Sequence, residues 1–98
     1  MNEFERKIAE LSARFAAKAG EQCASLAAAQ ARGDLTDLRD QAHKLAGIAG
    51  MLGQAEIGAA AFALESALEA GTRYEEQFAQ LQTLLTALEI GFPSPPSA

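Results

Sequence analysis

Single glycines divide this chain more firmly than any other feature. Gly33, Gly53, Gly71 and Gly91 each close a stretch in which apolar residues return every three or four places. That spacing marks an amphipathic helix, and a glycine just past the last periodic residue is a common stop. Leu38, Ala42, Leu45, Ala49 and Leu52 form one stripe. Ile57, Ala61, Leu64 and Leu68 form the next, and Tyr74, Phe78, Leu81, Leu85 and Leu88 the last. The first stretch is the longest. Phe4, Ile8, Leu11, Phe15, Ala19, Gln22, Leu26 and Ala29 keep one phase straight through Gly20. This predicts one long helix from about Asn2 to Arg32 with Gly20 as its weak point. A kink or break at Gly20 is the alternative.

The starts are marked as well as the stops. Asp34 can cap the free N–H groups of the second helix, and Asp37 adds negative charge to its first turn. That helix should end near Leu52, with Gly53 as its C-terminal glycine. The third runs from Gln54 or Ala55 to Gly71. Thr72-Arg73-Tyr74-Glu75 matches a capping box at the head of the fourth, in which Thr72 and Glu75 each satisfy a free N–H. Gly91 ends the fourth. Phe92-Pro93-Ser94-Pro95-Pro96-Ser97-Ala98 cannot continue a helix. The expected organisation is one domain over residues 1–92 and a flexible Pro/Ser tail over 93–98. Very short connections make sequence neighbours antiparallel. The expected fold is therefore all-α, an antiparallel up-down-up-down four-helix bundle.

Composition agrees with this and narrows the function. Alanine, the best helix former, dominates, while valine is absent and proline is confined to the tail. The 98 residues allow one modest core. A net charge of −5 argues against general binding to nucleic acid or anionic membranes, which needs a basic surface. Cys23 is the only cysteine, so no internal disulfide is possible, and a reducing cytoplasm is expected. It flanks an apolar stripe and reads as a small, partly buried thiol. The charged start from Met1 to Lys7 is neither signal peptide nor anchor. No stretch has the length needed to span a bilayer. A free-standing, monomeric protein is expected.

One histidine stands out. His43 is the only one in the chain, and it lies roughly 140° round the helix from Leu38, off the apolar face. It should face solvent or a partner. Helical side chains lean toward the N-terminus, so residues three and four places later cover a given position. For His43 these are Ala46 and Gly47, with Gly50 one turn further on. Each mid-helix glycine costs roughly 1 kcal/mol against alanine, in a chain rich in alanine. One reading is that the imidazole has been uncovered for a bulky reactant. The other is that the glycines let a second helix pack close.

Other chemistries lack their parts. Gly47-Ile48-Ala49-Gly50-Met51-Leu52-Gly53 has no preceding strand and the wrong spacing for a phosphate-cradling loop. No serine or cysteine lies within a helical turn of His43, which speaks against a hydrolytic triad. No metal-ligand spacing is present. What remains is a nucleophilic imidazole that works on a group presented by a partner. Phosphoryl transfer fits, because its catalysis is mostly positioning and charge neutralisation. Arg39 and Lys44 supply nearby positive charge. Gly47, Gly50, Met51 and, on the next helix, Gly58 and Phe62 offer a docking patch; Phe62 lies roughly 140° off the stripe of its own helix.

These residues carry a resemblance. Ala42-His43-Lys44-Leu45-Ala46-Gly47-Ile48-Ala49-Gly50-Met51-Leu52-Gly53, followed by Leu64-Glu65, resembles the signature of histidine-containing phosphotransfer (HPt) domains. The family pattern is a histidine, an apolar residue two on, a glycine four on, small residues, and a Leu/Phe-Gly pair closing the helix. The resemblance implies a four-helix bundle with the histidine on the second long helix. It implies His43 as the residue phosphorylated, on Nε2, and Gly47 as the glycine that gives access. Glu65 falls where many members place a polar residue that orients the imidazole through Nδ1. Ala46 departs from the pattern, since the family often has lysine there. Lys44 is the neighbouring substitute, but it leaves the helix about 100° from His43.

The expected function is that of a phosphorelay intermediate in two-component signalling. It would accept a phosphoryl group from a receiver-domain aspartyl phosphate onto His43 and pass it to another receiver domain. It is expected to be a phosphocarrier and not an enzyme, with no cofactor of its own and Mg²⁺ held by the receiver. A hybrid histidine kinase is a further expected partner. The alternative is a helical adaptor that docks a signalling partner without covalent chemistry.

Overall fold

The computed structural model describes residues 2–90, and every element in them is helical. In chain order these are α1 (Glu3–Ala17), α2 (Ala19–Arg32), α3 (Leu35–Met51), α4 (Ala55–Ala70) and α5 (Glu75–Glu89). The expected stop at Gly91 and the tail from Phe92 lie outside the described residues.

Three of the connections use one device. Gly33, Gly53 and Gly71 all have φ between 70° and 78°, a left-handed conformation in which any side chain is strained. The N–H groups of Asp34, Gln54 and Thr72, which follow them, donate to the carbonyls of Ala29, Ala49 and Ala67 at 3.0, 2.8 and 3.1 Å. This is the Schellman closure. All three accepting alanines are buried, so each turn is anchored on a core position. Asp34 then caps α3 as expected, its side chain accepting from the N–H of Asp37.

The start of α5 differs from expectation. Thr72 does not cap it. Its N–H and its hydroxyl both donate to the Ala67 carbonyl at the end of α4. The N-cap is Tyr74, without a side-chain cap bond, and Glu75 reaches only to the Tyr74 N–H. The left-handed Gly71 uses Thr72 to finish one helix, leaving nothing of it to begin the next. A true capping box occurs at the other end of the chain, where Asn2 and Glu5 exchange bonds at the start of α1.

The single long first helix is also corrected. It is two helices, and the break falls at Lys18, not at Gly20. Lys18 has φ −101° and ψ 4°, away from the roughly −63° and −42° of an α-helix. Its N–H is shared between the carbonyls of Arg14 and Phe15. The physical reason is length. An unbroken helix from Glu3 to Arg32 would measure about 45 Å at 1.5 Å per residue, against about 26 Å for the 17-residue α3. The bend turns the overhang, α1, toward the end of α5. Gly20 lies against that end: a Cβ there would meet the carboxyl of Glu89, the movable tip of a side chain.

Helices α2, α3, α4 and α5 close a ring of contacts, each touching its sequence neighbour and α5 returning to α2. Among the described residues α1 touches only α2 and α5. The core follows the predicted stripes of the last three helices: Leu38, Ala42, Leu45 and Ala49 of α3, Ile57, Ala61 and Leu64 of α4, and Leu81 and Leu85 of α5 are buried. From α2 come Ala19, Leu26 and Ala29. Nothing in α1 is buried. Phe4 is 72% exposed, so the front half of the first stripe is not core. Cys23 is partly buried between α2 and α5, its Sγ 3.2 Å from the Gln82 side-chain oxygen.

Candidate functional site

The closest helix pair, α3 and α4, builds the site. Gly58 of α4 faces the α3 backbone: a Cβ on it would lie 3.4 Å from the Gly50 nitrogen and 3.6 Å from the Ala46 carbonyl, ordinary van der Waals contact.

His43 projects from the middle of α3 with its side chain 72% exposed. Its Nδ1 lies 2.8 Å from Oε2 of Glu65, which α4 holds at 13% exposure. A carboxylate can only accept, so in a neutral ring Nδ1 carries the shared proton and the lone pair falls on Nε2. Among the described residues no side chain bonds Nε2. The imidazole is thus fixed from below by a largely covered acid and open above.

The other glycines near it behave differently from Gly58. A Cβ at Gly47 or at Gly50 would meet nothing within 4 Å. Neither residue has a neighbour that demands glycine, so close packing of a second helix does not account for them. Ala46, where a lysine was noted as missing, turns partly inward and packs on the core against α4.

The charged candidates separate. Arg39, one turn before His43, pairs with Asp40 at 3.0 Å. The hydrogen bond that Arg39 donates to Asp40, and after it the charge of Asp40, raises the Arg39 pKa above its ordinary value, with smaller contributions from Glu69 and Glu65. Arg39 is therefore already engaged. Lys44 makes no ion pair among the described residues and lines a groove on the opposite flank of α3, toward α1 and α2. His43 turns to α4, Lys44 away from it.

Both helices of the pair also carry exposed apolar residues. Phe62 of α4 and Met51 of α3 are 62% and 64% exposed. Ile48, five residues after His43, is exposed too and was not singled out from the sequence. Its signal was available: an isoleucine off the Leu38–Leu52 stripe, set between Gly47 and Ala49.

A family model, Hpt domain, matches residues 10–91. The chain belongs to the Hpt domain family. Domains of this family carry out histidine phosphotransfer in two-component phosphorelays, are phosphocarrier modules, and interact with receiver domains and histidine kinases. No curated protein and no solved structure matches the chain. The match spans α2 to α5 and the second half of α1, and leaves Glu3–Ala9 outside it. No helix of this Hpt domain among the described residues is long and apolar enough to cross a membrane.

Proposed function

We propose that His43 is the phosphoryl-accepting residue of this Hpt domain and that the protein relays the group between receiver domains in the cytoplasm. The observation that carries the reading is the solvent-facing imidazole held at Nδ1 by Glu65. On this reading α2–α5 form the up-down-up-down bundle and α1 is an addition to it.

The chemistry balances without a further reactant. The Nε2 lone pair attacks the phosphorus of an aspartyl phosphate on the receiver. The P–Nε2 bond forms as the P–O bond breaks, and the aspartate carboxylate leaves. The ring gains positive charge, and the Nδ1–H donates to Glu65, which offsets it. Reversing the steps returns the group to a second receiver. Neutralisation of the phosphoryl oxygens would come from Mg²⁺ held by the receiver. Gly47 and Gly50 leave room for the receiver's loops, and Phe62, Ile48 and Met51 form the apolar docking patch. Gly58 lies where α4 faces the α3 backbone, one turn before Phe62. Lys44 stays on the other flank of α3, and Arg39, paired with Asp40, adds positive charge one turn before the imidazole. The partnership is between two monomers.

The test is His43→Gln. This variant should fold with an unchanged helical spectrum and take no label from a phosphorylated receiver, whereas the wild type gains an acid-labile, base-stable label. Labelling of the variant at the wild-type level would overturn the assignment. A wild-type protein that binds the receiver but never gains label would point to a non-covalent adaptor.

A further inference from the structure

A groove of about 750 Å³ lies on the Lys44 flank of α3, with α1 and α2 as its other wall. That volume is in the range of small-molecule sites, roughly 300–1,000 Å³. The lining is sorted along its length. At one end α2 meets α3, and the polar groups satisfy one another: Gln22 donates to Gln41 at 3.3 Å, and Gln41 donates to Asp37 and to the Ser25 carbonyl. Lys18 and Lys44 come next, each about one helical turn from those glutamines. Beyond them the walls are apolar, with Leu11 and Phe15 on one side and Leu45, Ile48, Met51 and Leu52 on the other. We propose that this groove binds a small amphipathic anion, a carboxylate on an unbranched apolar chain, with its head at Lys18 and Lys44 and its chain running toward Leu52.

Charge decides the head. Of the chain's eight Lys and Arg residues, Arg6, Arg32 and Arg39 are held by acids close by. The remaining five make no ion pair among the described residues. Three of those five, Arg14, Lys18 and Lys44, line this groove. Asp37 also lines it, but Arg32 holds that carboxylate at 2.9 Å. A chain of net charge −5 thus gathers unpaired cations in one concave place. A carboxylate entering there meets donors that no acid of the protein has taken.

Shape decides the body. Leu52 lies about 12 Å along α3 from Lys44, roughly the reach of extended decanoate. Ile48 and Met51 are exposed, and a chain laid on them removes apolar surface from water. Methionine is unbranched and adapts to such a guest. Ile48 and Met51 also belong to the proposed docking patch, but the site uses neither His43 nor Glu65. Occupancy therefore does not depend on the reading of His43 as acceptor.

The test is titration calorimetry with decanoate, with amide NMR to locate it. One equivalent should bind, and the shifted signals should be those of the groove, from Leu11 to Lys18 and from Lys44 to Leu52. Hexanoate should bind roughly 10- to 100-fold more weakly, because four CH₂ groups no longer reach the apolar walls. Decyltrimethylammonium has the same body and the opposite charge. An acidic protein that merely adsorbs surfactant would prefer it, whereas this groove should bind it at least about 10-fold more weakly than decanoate. Lys18→Gln with Lys44→Gln, both at exposed positions, should keep the helical spectrum and lower decanoate affinity by about 10-fold. Absence of saturable binding would overturn the site, as would shifts centred elsewhere. Equal or tighter binding of the cation, or unchanged affinity in the double variant, would overturn the assignment of the head. Shifts of the groove signals with rising protein concentration alone, or on adding a receiver domain to a protein that ignores decanoate, would give the groove to a second copy or to a protein partner instead.

Discussion

Gly47 permits an experiment in which stability and transfer should move in opposite directions. A side chain at this position meets nothing within 4 Å, and no left-handed backbone requires glycine there. Gly47→Ala should therefore gain the difference in helix propensity, about 1 kcal/mol. For a domain of this size that raises Tm by roughly 4–8 °C. Gly47→Gln should gain somewhat less, about 0.5 kcal/mol, since glutamine is a slightly poorer helix former. The glutamine side chain leans back over His43, one turn earlier. It should slow transfer from a phosphorylated receiver by about 10- to 100-fold through misplacement of the reacting atoms. The assays are thermal unfolding by circular dichroism and radiolabel transfer over time. Loss of stability in Gly47→Ala would refute the open-space argument. Equal transfer by Gly47→Gln and wild type would refute the claim that glycine is there for access.

Glu65→Ala should slow transfer by roughly 100-fold while leaving the fold intact, and Glu65→Gln, which keeps an acceptor but not the charge, should fall between it and wild type; equal rates in all three would remove Glu65 from the mechanism. Leu64→Ala, at a fully buried position, should cost about 2–5 kcal/mol in urea unfolding. Phe4→Ala, by contrast, should cost under about 0.5 kcal/mol because Phe4 is 72% exposed. Asp34→Ala should lose about 1 kcal/mol through the missing cap on α3, seen as a lower Tm; an unchanged Tm would show that Arg32 and solvent hold that turn without it.

Much of this was readable in the chain because the signals were local. Glycine stops, the Asp34 cap and three apolar stripes each depend on residues within a turn or two. The placement of His43 off the stripe followed from angle alone, and exposure of its side chain agrees. The misses share a cause. Thr72-Arg73-Tyr74-Glu75 is a valid capping pattern, but Gly71 claims Thr72 for α4, and the pattern cannot say which helix wins. The stripe from Phe4 to Ala29 keeps phase, yet phase does not reveal that the other helices are too short to cover its first half. Gly47 and Gly58 look alike in the sequence and have opposite surroundings, one open and one facing the α3 backbone. The direction of Lys44 likewise depends on where α1 and α2 lie.

The turn at Gly53 sets a register for chemistry some distance away. His43 is ten residues before that glycine and Glu65 twelve after it, so the hairpin works as a calliper whose jaws meet at Nδ1. One residue added inside α4, between Ile57 and Glu65, would rotate the carboxylate by about 100° relative to the buried start of the helix and carry it off the ring. In this chain the count of residues along α4 is thus as strict a requirement for the acid–imidazole pair as the identity of either side chain.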